Sequence, residues 1–181
     1  MTRILCLAGA LALVTACSSS GDKADKAKAR RGDKDWAKLP LKRVNAVAKK
    51  VPFTIELPDG LEKSVDSIQV SWHFPGERRF VTPRVAVNIS ELPPPLTMKD
   101  AVSRSLIMSK KDTVKAKRAV DGGFLVVHHN AKKSKINATV HLKLSDKRTL
   151  YCNASQSRGG GIPNADAIMD WLAKICTTVK L

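Results

Sequence analysis

The chain has 181 residues, with 32 Lys+Arg against 16 Asp+Glu, a formal net charge of +16, 43% hydrophobic and 4% aromatic residues. That apolar share excludes a collagen-like or wholly disordered chain, and the length predicts one folded domain. No apolar run reaches the roughly 18 residues that a bilayer-spanning helix needs.

Residues 1–17 read MTRILCLAGALALVTAC. Arg3 supplies a positive start, and residues 4–14 form a short apolar run, the pattern of an export signal rather than of a membrane span. Val14-Thr15-Ala16-Cys17 resembles a bacterial lipobox. The resemblance implies a signal peptide over 1–16 and a mature chain that starts at Cys17 with diacylglycerol on its thiol. Acyl chains anchor a protein by burying CH₂ groups at roughly 0.8 kcal/mol each. Ser18 follows Cys17, which by the enterobacterial sorting rule points to the outer membrane, facing the periplasm or the cell surface.

Cys6 then leaves with the signal and Cys17 carries lipid, so Cys152 and Cys176 remain. Two cysteines in an exported protein favour a disulfide, which would close a loop of about 25 residues and add roughly 3 kcal/mol in the chain-entropy view. Neither has a CxxC partner or a nearby HxxxH, so no metal site is expected.

Residues 17–50 read as a lipidated basic tether. From Asp22 to Lys50 there are 11 Lys+Arg and 4 Asp, a net charge of +7. Such a segment cannot bury a core of its own. Its end interleaves Trp36, Leu39, Leu41, Val44 and Val47 with Lys38, Lys42, Arg43, Lys49 and Lys50. After Pro40 the alternatives are a basic amphipathic helix on anionic lipid and a solvated spacer whose last turns pack on the domain.

The domain is expected over residues 51–181, with a net charge of +8. Phe53, Ile55 and Leu57 alternate and predict a strand over 51–57, ended by Pro58-Asp59-Gly60. Ile68, Val70, Trp72 and Phe74 form the next, turned by Pro75-Gly76. Val81, Val85, Val87 and Ile89 form a third, with Pro83 marking an edge or a bulge. Leu92-Pro93-Pro94-Pro95 is a stiff connector. Thr97 and Asp100 then form an approximate capping box for a helix over 98–109, with Met98, Ala101, Val102, Ser105 and Leu106 along one stripe. Strands follow at about 112–120, 123–130, 136–145 and 149–155. Asp121-Gly122 is a hairpin turn that pairs Arg118 with Leu125, Ala116 with Val127 and Val114 with His129. A helix over 164–177, capped near Asn164, turns Ala165, Ile168, Leu172 and Ile175 inward. Phe124-Leu125-Val126-Val127 is apolar on both faces and needs cover on both. The fold class is therefore α+β: an antiparallel sheet of about seven strands with two helices on opposite faces, or with one face covered by residues 36–50. Cys152 shares a face with Leu150, and Cys176 lies on the stripe of Met169 and Leu172, so one bridge can join the last helix to its strand.

The order of three strands, a helix, four strands and a helix, opened by Phe53-Thr54-Ile55-Glu56-Leu57-Pro58-Asp59-Gly60, resembles the PsbP-like group. That group includes small envelope lipoproteins of the DcrB and LpqN kinds. The resemblance covers residues 51–181 and implies an α/β/α sandwich with binding or assembly roles. Where the group often has an aromatic after the glycine, this chain has Leu61. No catalytic set comes with the resemblance.

Chemistry-bearing motifs are few. His128 and His141 read as diagonal neighbours on one face, a metal or acid–base pair if a carboxylate or thiolate joined them, and otherwise plain strand residues. There is no Gly-x-Ser-x-Gly elbow. Arg158-Gly159-Gly160-Gly161 lacks the Gly-Lys-Ser/Thr ending of a phosphate loop. No cofactor is implied. The strongest surface signal is positive charge: Lys115, Lys117, Lys132, Lys133, Lys143 and Arg148 are the candidate polyanion-binding residues, suited to acidic lipid head groups, lipopolysaccharide phosphates or wall polymers. Nucleic acid would match the charge, but export removes the chain from it. The sequence thus predicts a non-enzymatic, membrane-anchored envelope lipoprotein that binds or scaffolds, through an envelope protein or an anionic polymer. The alternative is a small envelope hydrolase.

Overall fold

A computed structural model describes residues 36–75 and 81–181. The export signal, Cys17 and the first part of the tether lie outside the described residues. The elements in chain order are β1 (Leu41–Ala48), β2 (Val51–Pro58), β3 (Glu62–Val65), β4 (Gln69–His73), β5 (Arg84–Ser90), α1 (Met98–Ser105), β6 (Thr113–Val120), β7 (Gly123–His129), β8 (Lys135–Lys143), β9 (Thr149–Ser157) and α2 (Ala165–Thr177), with one 3-10 turn (Trp36–Lys38) before β1.

Seven strands form one antiparallel sheet in the order β3-β4-β5-β9-β8-β7-β6, and β1 and β2 form a separate hairpin. The number seven agrees with the sequence, but the membership does not. The strand that opens with Phe53 leaves the main sheet, and the seventh place is taken by β3, whose four residues are all exposed. An edge strand wet on both faces has no alternation to reveal it.

The second departure is β1. Instead of a basic helix or a spacer, residues 41–48 pair with β2 from Leu41 opposite Pro58 to Ala48 opposite Val51. The expected boundary between residues 50 and 51 therefore falls at a hairpin turn. Phe53, Ile55 and Leu57 point into the core together with Ala46 and Ala48. The outer edge of β2 is closed by the end of the chain: Thr54 and Lys180 exchange backbone hydrogen bonds of 2.8 and 3.0 Å. The Glu56 backbone N–H also donates to Thr178 Oγ1 at 2.8 Å.

The core lies between the sheet and a cover made of this hairpin and α2. Val85, Val87 and Ile89 of β5, Leu125 and Val127 of β7, Val140 of β8 and Leu150 of β9 share one buried cluster with Ile168, Met169, Leu172 and Ile175 of α2. Phe53 stands edge-on to Trp72 with ring centres 6.4 Å apart. Cys152 of β9 and Cys176 of α2 are joined in a disulfide with a Cα–Cα distance of 5.6 Å, wholly inside this layer. On the other face α1 packs over β6 and β7, burying Ala101 against the sheet where Val126 is also buried. The helices thus lie on opposite faces, and the 36–50 segment contributes to the cover as well.

Local signals hold where they act between near neighbours. The Thr97–Asp100 capping box forms, each partner bonding the other's backbone at 3.2 Å. The helix is shorter than expected, ending at Ser105. Asn164 precedes α2 but takes a left-handed conformation (φ 52°) and makes no side-chain cap bond. Asp121-Gly122 turns β6 into β7, with Val120 opposite Gly123. Gly123 sits so close to β8 that a Cβ would lie 1.8 Å from the His141 carbonyl oxygen.

The register of that hairpin follows expectation for Arg118 with Leu125 and Ala116 with Val127, then slips. Val114 faces His128 rather than His129, because a bulge falls between Val114 and Ala116. The extra residue is Lys115, and the bulge turns it to the α2 side of the sheet.

Candidate functional site

The candidate basic residues do not form one patch. Lys115, re-aimed by the bulge, lies 3.0 Å from Asp170 and 3.4 Å from Asp166 of α2. Lys133 reaches Asp166 at 2.6 Å. The Lys133 ammonium, with Lys115 behind it, holds the Asp166 carboxyl below its usual range. Arg148 bonds Asp146 at 2.6 Å and approaches Glu91 at 3.9 Å. Three of the six are therefore offset by carboxylates, each a half-buried base against an exposed acid, a kind of pair that contributes little to stability. Lys117, Lys132 and Lys143 are exposed and make no ion pair among the described residues. They stand apart: Lys132 lies in the turn before β8 and Lys143 ends that strand, eight residues past Lys135, or about 26 Å along it.

The histidines are also separated. His128 faces Asn137 and His141 faces Phe124, so the two are on one side of the sheet but about 13 Å apart along it rather than diagonal neighbours. Each has its own partner, and neither partner was legible from spacing. His128 Nδ1 lies 2.8 Å from Asp112 Oδ2, with His128 almost fully buried. Burial lowers the His128 pKa and outweighs the opposing pull of Asp112. His141 Nε2 lies 3.0 Å from Ser105 Oγ of α1, and its ring meets Tyr151 edge-on at 4.9 Å. Burial, with Arg104 nearby, pushes the His141 pKa down to about 4. At neutral pH His141 is an uncharged ring that pins α1 to the sheet. A Ser–His pair is half of a nucleophilic constellation, but no carboxylate orients His141 and neither dyad opens into a described cavity.

Three concavities are prominent among the described residues. A groove of about 580 Å³ runs between the β1–β2 hairpin and the β3 end, lined by Val47, Phe53, Val65, Lys63, Lys180 and Leu181. A second, of about 370 Å³ and more enclosed, lies by the β6–β7 turn and the end of α2. The third, about 250 Å³, is polar and sits on the sheet face that α1 leaves uncovered, with Gln69, Arg84, Asn88, Tyr151 and Asn153 around it. Among the described residues no cluster of three or more His, Cys, Asp or Glu side chains forms, and no helix is long and apolar enough to cross a membrane.

No protein-family model matches the sequence, and no curated protein does. The fold does have solved counterparts. The structure of a point mutant of the protein Mog1 superposes with a TM-score of 0.56 at 10% identity, covering 78% of this chain and 96% of that one. A protein from Bacteroides thetaiotaomicron aligns with a TM-score of 0.43 at 10% identity over 77% of this chain and 47% of its own. The first likeness shows a shared fold: α+β, with two helices and a mainly antiparallel sheet.

Proposed function

We propose that the chain is a non-enzymatic, lipid-anchored bacterial envelope protein whose PsbP-like α/β/α domain binds or scaffolds, with an envelope protein or anionic envelope components as its partner. The observation that carries the proposal is the N-terminal pattern, a charged start, an apolar run and Val14-Thr15-Ala16-Cys17. The Cys152–Cys176 disulfide supports it, since such bridges persist in oxidising compartments. The likeness to Mog1 supports the sandwich assignment at the level of fold. The unpaired Lys117, Lys132 and Lys143 leave the surface positive even after the carboxylate pairs are counted. His128 and His141 are both buried and neither lines one of the described cavities, which favours binding over catalysis.

Mass spectrometry of the chain from its own membrane fraction tests the anchor. An acylated Cys17 at the mature N-terminus is expected, and Cys17→Ala should move the domain to the soluble fraction when membranes are washed in high salt. An unmodified Cys17, or full-length chain in the cytosol, would overturn the proposal. The hydrolase alternative rests on the Ser105–His141 contact alone.

A further inference from the structure

We propose that α1 and the turns on either side of it form a docking surface for an anionic lipid bilayer, separate from the acyl anchor. Four large apolar side chains flank this eight-residue helix: Leu92 and Leu96 before it, 65% and 86% exposed, and Ile107 and Met108 after it, 68% and 89% exposed. Elsewhere in the described chain, exposed large apolar residues are less bare, and three of them, Val47, Val65 and Leu181, line the groove beside the β1–β2 hairpin. Single exposed residues of this kind need no explanation, but a cluster around one element does.

The surface is held rigidly. Ala101 is buried against the sheet, Ser105 Oγ bonds His141 at 3.0 Å, and Arg104 donates to the Pro93 carbonyl across the connector. Pro93-Pro94-Pro95, with Pro95 buried, keeps Leu96 from folding back. The apolar tips therefore project from a fixed base.

Its charge is net positive: residues 92–112 carry Lys99, Arg104, Lys110 and Lys111 against Asp100 and Asp112. Lys99, Lys110 and Lys111 are exposed and make no ion pair among the described residues. Each neighbouring carboxylate has a partner within the fold, although only Glu91 meets a cation. Asp100 closes the helix cap. Asp112 is held by His128. Glu91 lies 3.1 Å from Lys49. Aliphatic tips ringed by free lysines match the boundary between acyl chains and anionic head groups. A protein partner fits less well: interface cores favour aromatics and exclude lysine, and residues 92–111 contain no aromatic at all.

The proposal rests on the anchored reading only for bringing this surface near a bilayer, so its own affinity can be read separately. The experiment places a polarity-sensitive label at Met108→Cys in the full chain, with Val65→Cys on the β3 edge as control. Vesicles of phosphatidylglycerol or of phosphatidylcholine are added, and quenching by aqueous iodide is followed. At position 108, phosphatidylglycerol should cut quenching by about fivefold, with loss of the effect in high salt. Phosphatidylcholine should do little, and position 65 should stay open to iodide throughout. Leu96→Glu with Ile107→Glu should abolish the shielding, while sedimentation with the vesicles persists if Cys17 is acylated. Equal quenching at position 108 with either lipid overturns the proposal, as does shielding that appears only on adding envelope proteins. A chain found without acyl groups, yet still shielded at position 108 by phosphatidylglycerol, overturns the anchor and leaves this surface standing.

Discussion

His141 stands on a central strand, covered by α1 above and Tyr151 beside it, with 2% of its surface in contact with solvent. An imidazolium there loses its hydration and gains no carboxylate, which is why its pKa falls to about 4 from 6.5. Below pH 6.5 the unfolded chain takes up a proton that the folded chain refuses until about pH 4. Stability therefore rises with pH across that window, is fully present above 6.5, and is lost by roughly 3 kcal/mol on going down to pH 4. His128, whose pKa is also lowered by burial, acts with the same sign. The carboxyls of Asp146 and Asp166, held below their usual range by Arg148 and Lys133, lose their contribution only at lower pH. Urea unfolding at pH 4.5 and 7 should show His141→Gln losing about 2 kcal/mol less than the parent between the two values. An equal loss in both would mean that His141 does not titrate in this window. The sequence places both histidines on one side of the sheet, but nothing in their spacing reveals Ser105 or Asp112 as partners. Those contacts depend on where α1 and the residues before β6 are carried by the rest of the chain.

At the scale of elements, alternation and turn residues are legible because they act within a few positions. Phe53 to Leu57, Val85 to Ile89 and Asp121-Gly122 all form what their local pattern predicts. The elements that escape notice lack that local signal. The β1–β2 hairpin turns on Lys49 and Lys50, both with left-handed backbone (φ 43° and 65°). Such a turn normally announces itself with Asn-Gly, and two lysines give no hint of it. A left-handed conformation costs a residue with a Cβ about 1 kcal/mol, here overcome by burying Phe53, Ile55 and Leu57 under the hairpin. Lys50→Gly should therefore stabilise the domain by about 1 kcal/mol while leaving the Lys49–Glu91 pair in place, as measured by the shift of the denaturation midpoint. A destabilised variant would argue against the turn. The bulge at Lys115 is likewise invisible in one strand alone, since it is a property of the pair and serves to bring Lys115 over Asp166 and Asp170.

At the scale of the molecule, one cover layer is built from the two ends of the described chain. The hairpin and α2 lie side by side, the residues after α2 close the edge of β2, and the disulfide fastens α2 to the middle of the sheet. Opening that bridge by Cys152→Ala with Cys176→Ala should cost roughly 3 kcal/mol through the freed loop of the unfolded chain. Chemical denaturation of the oxidised parent and the double variant measures it; a loss well under 1 kcal/mol would show the bridge to be dispensable. On the opposite side α1 covers only part of the sheet, which leaves the polar face around Arg84 open and lifts Leu96 and Met108 into solvent.

Periodicity and turn chemistry were enough to define the class of fold, most strands and both helices, and they permitted a bridge between Cys152 and the last helix without requiring it. Neighbouring residues set these features without reference to distant ones. Closure of the layers was needed before the Phe53 strand left the sheet, Lys115 and Lys133 met carboxylates of α2, and His128 and His141 parted company. Register, strand exchange and ion pairing join residues far apart in the chain, and their energies exist only once those residues have been brought together.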